Sequence, residues 1–348
     1  MTDPVISLLR GEGPLPGPRE GAWDAVARQA VSEGLAGIAL SLLSRSGRLQ
    51  DLTPSARGIL EADLTKVRLE QTLLFHRFEA LRGTLDSAQV DFIVHKGGAL
   101  APLLYPRLED RPMVDIDIVI RPEAWRRVRD ALVAARYRLP PGSQEAFWLE
   151  NYFNLSVTSP EDPASHFDVH WSLTQEGRYH VATEDLFARA VPYQLGGSSL
   201  KRLADEDLLL SLFLHLAYHY FEASLIWLYD MKLVIERLAI DWDTFFDRAA
   251  RWGLMAVVAF NMVYLEKVFP GSVPVEVLAR GRPGAFRSRL AGPFMSSSPR
   301  HLFRGEERRL NQLVLGLLSI DRPADAARFA AGKIGRTLRW AGRRPRLR

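Results

Sequence analysis

The chain has 348 residues, enough for two or three domains, and a content of 47% hydrophobic and 25% charged residues excludes the disordered and fibrous classes. It has no cysteine, which excludes disulfides and thiolate-held metals. The net charge of +4 is unevenly placed: residues 271–348 hold 17 Lys and Arg against 5 Asp and Glu, which leaves that segment at +12 and the rest at −8.

Met1-Thr2-Asp3-Pro4 lacks a basic region followed by a long apolar stretch, so no signal peptide is expected. The most apolar run, Leu208 to Phe221, is too short to span a bilayer and is interrupted by His215 and His219. The expected setting is the cytoplasm, without a membrane span.

Gly11 to Pro18 is an irregular lead-in, and Ala22 to Ser44 shows the three- and four-residue apolar spacing of one or two helices. Asp51-Leu52-Thr53-Pro54 resembles a helix cap, and from Ser55 to Leu81 a long helix is expected. The period then changes. Asp91 to His95 is a short β-rich run, Gly97-Gly98 breaks it, and Ala99 to Leu104 starts a helix. Asp115 to Ile120 is a second strand and Pro122 to Ala135 a helix with Pro in its first turn. Tyr152 to Thr158 and His166 to Leu173 are two further strands around a Ser-Pro-Glu-Asp-Pro turn. After Leu200 the strands stop. Glu206 to Phe221, Ser224 to Leu238, Trp242 to Trp252 and Leu254 to Phe269 are helical, followed by a mobile loop over Pro270 to Pro299, a last apolar helix over Leu310 to Ile320 and a basic tail.

The expected fold class is α+β: a small mixed β-sheet domain flanked by N-terminal helices and a C-terminal helical domain. The boundaries fall at 1–88, 89–200, 201–320 and a tail from 321 to 348. The tail is a solvated, frayed terminus on the plain reading; its arginines would also suit nucleic acid or an anionic membrane surface.

The chemistry concentrates in the middle. Asp115 and Asp117 lie two apart on a strand otherwise built of Val and Ile, so both project from one face. Two like charges there need a positive partner, and a hard divalent cation such as Mg2+ is the ordinary one. Asp168, in Phe167-Asp168-Val169-His170-Trp171, is a third carboxylate that an adjacent strand can bring beside them. Gly97 and Gly98 remove two side chains at a helix N-terminus, where backbone N–H groups bind phosphate. His215 and His219, at i and i+4, have the spacing of a zinc helix but no adjacent Glu, so they are assigned to the core or to nucleotide contact. The aromatic stretch Tyr218 to Trp227 is assigned to core before a base-stacking role.

These residues form an ordered set: Lys96-Gly97-Gly98-Ala99-Leu100-Ala101, Tyr105, Arg111, Asp115-Ile116-Asp117 and Asp168-Val169-His170-Trp171. The set resembles the uncharacterised nucleotidyltransferases of the polymerase-β superfamily, whose pattern is K-G-x-x-L-a, Y, R, D-x-D and D-x-H-W. The resemblance runs from about Leu60 to Phe269 and includes Leu212 to His219 and Trp227-Leu228-Tyr229-Asp230-Met231. The chain departs from the pattern at His95, where Leu is usual, and at Trp227, where Arg or Leu is usual.

The resemblance implies that Asp115 and Asp117 hold Mg2+ on an NTP triphosphate and that Asp168 holds a second ion and helps deprotonate an acceptor hydroxyl; Mn2+ would substitute. It also implies that Gly97 and Gly98 bind the β- and γ-phosphates, with Lys96 or Arg111 as charge partners. Family members often accompany biosynthetic genes for modified peptides and surface polysaccharides, so the implied acceptor is a small molecule, peptide or protein, with RNA next. The implied reaction moves an NMP from an NTP to a hydroxyl and releases pyrophosphate. The alternative is a non-catalytic nucleotide-binding regulatory or antitoxin-like module.

Overall fold

A computed structural model describes residues 3–342 except 13, 14, 16–20, 176, 196, 222, 223, 283, 285, 286, 288 and 291–307. The chain begins with α1 (Pro4–Arg10), α2 (Ala22–Ser32), α3 (Ala36–Arg45) and α4 (Pro54–Ser87). Thr53 caps α4, its Oγ1 accepting the Ala56 N–H at 3.0 Å, and Pro54 occupies the first turn, where no N–H is needed. At 34 residues α4 is roughly 51 Å long. That length lets it serve two cores. Leu60 and Leu64 join the cluster of the helical parts, while Leu74, Phe78, Leu81 and Leu85 pack under the sheet.

The middle of the chain runs β1 (Phe92–His95), α5 (Lys96–Leu104), β2 (Asp115–Ile120), α6 (Trp125–Ala134), α7 (Gly142–Asn151), β3 (Asn154–Thr158), β4 (His166–His170), α8 (Thr183–Arg189), β5 (Val191–Leu195) and β6 (Ser198–Arg202). One six-stranded mixed sheet results, in the order β3-β4-β2-β1-β6-β5, with β2 parallel to β4 and antiparallel to β1. The fold class is thus α+β. The β5–β6 hairpin is absent from the sequence expectation because its pattern is weak and Pro192 argues against a strand; β5 is the sheet edge, where proline is tolerated.

The diglycine also behaves differently from expectation. The chain bends at Lys96, with φ +45°, and the two glycines lie inside the first turn of α5. They are small for packing reasons. A Cβ on Gly98 would meet Ile116 Cγ2 at 3.0 Å and Val94 Cγ1 at 3.1 Å, and one on Gly97 would meet Met113 Sδ at 2.5 Å.

Alternation gives the sheet two unlike faces. Phe92 and Val94, Ile116, Ile118 and Ile120, and Phe167 and Val169 point to α4 and α6. The opposite face carries Ile93 and Val119, which join the core of the helical parts, together with the polar residues described below.

The C-terminal part is α9 (Asp205–Tyr218), α10 (Leu225–Arg237), α11 (Trp242–Trp252), α12 (Met255–Val268) and α13 (Val275–Arg280), then helices over Arg308–Leu318 and Pro323–Gly342. Helix α9 stops short of Phe221 because Tyr220 and Phe221 adopt left-handed backbone, φ +54° and +63°. These helices share one hydrophobic cluster with α1–α3, so residues from both ends of the chain pack together.

The segment expected to be a mobile loop contains α13; its residues 291–299 lie outside the described residues. The segment after 321, expected to be a frayed terminus, is helical from Pro323. Asp325 is buried and accepts from His180 Nε2 at 2.8 Å, and Phe329 is buried beneath the Arg178 guanidinium, 4.8 Å from the ring centre. Arg343, Arg344 and Arg346 lie outside the described residues. No helix among the described residues is long and apolar enough to cross a membrane.

Phe78 has no exposed surface and touches Phe92 and Phe167, so Phe78→Ala removes the ring that joins α4 to the sheet. Denaturant unfolding should show a loss of about 3–5 kcal/mol; a loss below about 1 kcal/mol would contradict this packing.

Candidate functional site

Period and register assemble the site. Asp115 and Asp117 share a face of β2, and parallel pairing sets Asp117 opposite Asp168 of β4. Antiparallel pairing sets His95 of β1 opposite Asp117 from the other side. His170, two residues after Asp168, shares its face, and Asn154 of β3 is its register partner. The ligand atoms of Asp117, Asp168 and His170 lie within 4.8 Å of one another.

Asp117 is buried and accepts two hydrogen bonds on one oxygen: Lys96 Nζ donates to Oδ1 at 2.6 Å and His170 Nε2 at 2.8 Å. Burial pushes this carboxyl up, but the Lys96 charge and the His170 bond outweigh it and hold Asp117 well below the usual carboxylate range. Asp168 accepts from Asn154 Nδ2 at 3.0 Å, a bond that fixes its rotamer. Asp115 has no such partner among the described residues. Burial, reinforced by the charges of Asp117 and Asp168, pushes it up to about 7. His95 is driven well below its ordinary value by burial and by Lys96, which leaves its imidazole neutral.

Asp115 and Asp117 open into a cavity of about 210 Å³. One side is Lys96, Gly97, Asp115 and Asp117; the other is Leu212 and His215 of α9 with Trp227 and Met231 of α10. A larger cavity, about 1170 Å³, lies beyond the far ends of β2 and β4, around Glu123, Phe153 and Trp171. None of the three acids lines it, whereas Asp115 and Asp117 line the smaller one, which is therefore the candidate site despite its size.

Of the residues singled out from sequence, Asp115, Asp117, Lys96, Gly97 and Arg111 line this cavity, and Asp168 sits beside Asp117 on the next strand. Gly98 is not in the lining; it packs against β1 and β2, and its carbonyl accepts from Tyr193 Oη at 2.9 Å. Arg111 is buried, and its guanidinium is taken by Asp230, Nη2 to Oδ2 at 2.7 Å, while Tyr105 Oη donates to the other oxygen at 2.6 Å. Burial alone would lower the Arg111 pKa, but Asp230 overrides it and raises it. These three motif residues tie α10 to the loop that leads into β2.

Several participants escape sequence reasoning. The bonds of His170 to Asp117 and of Asn154 to Asp168 depend on register across β2, β4 and β3; the only signal is the two-residue spacing of Asp168 and His170. His215, assigned from sequence to the core or to nucleotide contact, and Trp227, noted there as a departure from the family pattern, reach the cavity through helix packing, a position that no local pattern encodes.

Asp115 generates a pH prediction. Its carboxyl holds a proton more tightly in the fold than in the unfolded chain, so in metal-free buffer the contribution of Asp115 to stability falls as pH rises from about 4 to about 7 and is level beyond. Asp115→Asn removes that cost. The variant should match wild type near pH 4 and exceed it by on the order of 2–4 kcal/mol above pH 7 in urea unfolding; parallel stability curves would contradict this.

The family match accords with the geometry. The family model described as "Uncharacterised nucleotidyltransferase" matches residues 19–270. A solved structure, that of the antibiotic-resistance factor ANT(2'')-Ia, is similar at 14% identity with a TM-score of 0.30, over 65% of this chain and 96% of that one. A search of curated proteins finds no match to the chain. The family match spans the sheet, the carboxylate site and most of the helices around it, and by it the chain belongs to the uncharacterised nucleotidyltransferase family.

Proposed function

We propose that the protein transfers an NMP from an NTP to a hydroxyl of a small-molecule, peptide or protein acceptor and releases pyrophosphate, using Mg2+ with Mn2+ as a substitute, in the cytoplasm. The observation that supports the reading is the clustering of the Asp117, Asp168 and His170 ligand atoms within 4.8 Å, with Asp115 two residues before Asp117 on the same face of β2 and Lys96 beside Asp117.

The donor set fits a hard divalent cation. Its oxygens are carboxylate, and Asp115 is an under-compensated charge whose high proton affinity marks a place for a cation. Asp115 and Asp117 would hold one ion and Asp168 would complete the site for a second. When bound, the metal neutralises the triphosphate, lowers the pKa of the attacking hydroxyl and stabilises the pyrophosphate leaving group.

The chain's own residues do the rest. Lys96 offers its ammonium to the β- and γ-phosphates, and Gly97, which lines the cavity at the head of α5, leaves room for them there. Asp168, oriented by Asn154, accepts the acceptor's proton as the new ester bond forms. His170 holds Asp117 in its ionised, ligating form. Arg111, locked by Asp230, keeps α10 over the site and adds positive charge near it.

One observation favours the non-catalytic nucleotide-binding module: Asp117 Oδ1 already has two donors, Lys96 and His170, which compensate its charge without a cation. Turnover separates the two readings. Purified protein with labelled NTPs, Mg2+ and a panel of hydroxyl-bearing small molecules and peptides should release pyrophosphate. Asp117→Ala or Asp168→Ala should reduce the rate about a thousandfold or more while leaving the fold intact. Binding of Mg2+–NTP without turnover across the panel would favour the module. In the same assay, EDTA should abolish release and either Mg2+ or Mn2+ restore it; EDTA-resistant turnover would rule out the metal.

A further inference from the structure

We propose that Trp227, seated beside His215, is the wall on which the nucleobase of the bound nucleotide stacks, with purines preferred to pyrimidines; this rests on the nucleotidyl-transfer reading above. The cavity is chemically two-sided. Asp115, Asp117 and Lys96 bring charge from the sheet, Leu212, His215, Trp227 and Met231 line the cavity from α9 and α10, and the charge of Asp230 on α10 is already taken by Arg111. A triphosphate with its cations belongs on the charged side. The uncharged rings of Trp227 and His215 offer nothing to phosphate but suit a planar base, since every base presents a π-face.

The indole is held but not hidden. Its ring centre lies 4.5 Å from that of His215 at an interplanar angle of 69°, and 5.0 Å from that of His219 at 48°. The two imidazoles are themselves 4.7 Å apart. Ile226 and Leu228, on either side in sequence, are buried, whereas Trp227 keeps part of its surface at the cavity. A tryptophan needed only to fill core would be enclosed as its neighbours are. Burial first, and Lys96 second, hold His215 well below its ordinary value, so this wall adds no positive charge that would draw the phosphates toward it. A larger ring system overlaps more of the indole, hence the purine preference.

The test is isothermal titration of wild type, Trp227→Ala and Trp227→Phe with Mg2+ and three probes: α,β-methylene-ATP, the corresponding CTP analogue and inorganic tripolyphosphate. Trp227→Ala should bind the ATP analogue about 10- to 100-fold more weakly and lose the preference over the CTP analogue, with tripolyphosphate affinity unchanged within about twofold. Trp227→Phe should keep most of the affinity. Unchanged binding of the ATP analogue by Trp227→Ala, or equal weakening of all three probes, would overturn the base wall and leave the nucleotidyl-transfer reading standing. A wild type that binds none of the three probes would overturn both.

Discussion

Three carboxylates on one face of a sheet repel one another, and the architecture around the site is organised to bear that cost. Asp117 is satisfied by a lysine and a histidine on a single oxygen, and Asp168 by an asparagine. Asp115 is left to hold its proton up to about pH 7. Such a gradient across three like residues arises from which neighbours each one meets. The residue left under-compensated faces the cavity, where a cation and a triphosphate would complete the charge balance.

Keeping these groups in place requires rigid surroundings on both sides. Beneath the sheet, apolar residues of β1, β2 and β4 meet the second half of α4. Above it, α9 and α10 close the cavity, and α10 is pinned by the buried Arg111–Asp230 pair, to which Tyr105 adds a hydrogen bond. Because α4 enters both hydrophobic clusters, the floor of the site and the helices over it share one long element. The glycines at the head of α5 serve the same end by letting the helix approach β1 and β2 closely enough to present Lys96 to Asp117.

Much of this is legible in the chain. A two-residue period with Ile between acids marks β2 and its charged face, and the helical periods define α9, α10, α11 and α12 to within about three residues, while α4 runs on from the expected Leu81 to Ser87. The limits are physical. The β5–β6 hairpin alternates too weakly, and its proline is acceptable only at a sheet edge that topology alone reveals. Glycines needed for contact and glycines needed for a turn look identical in sequence, and here the turn belongs to Lys96. The hydrogen bonds of His170 and Asn154 arise between strands, and the engagement of Arg111 by Asp230 spans 119 positions; neither can be found by local spacing. The helix after Pro323 is held by His180 and Arg178, residues far from it in the chain.

The central claim is that Asp115, Asp117 and Asp168 act together as a divalent-cation site in the presence of nucleotide. Electron paramagnetic resonance of Mn2+ titrated into the protein with a non-hydrolysable NTP tests it most directly. The account predicts immobilised Mn2+ in the wild type and its loss in Asp117→Asn and in Asp168→Asn, both still folded. Equal Mn2+ binding by the wild type and both variants would contradict it.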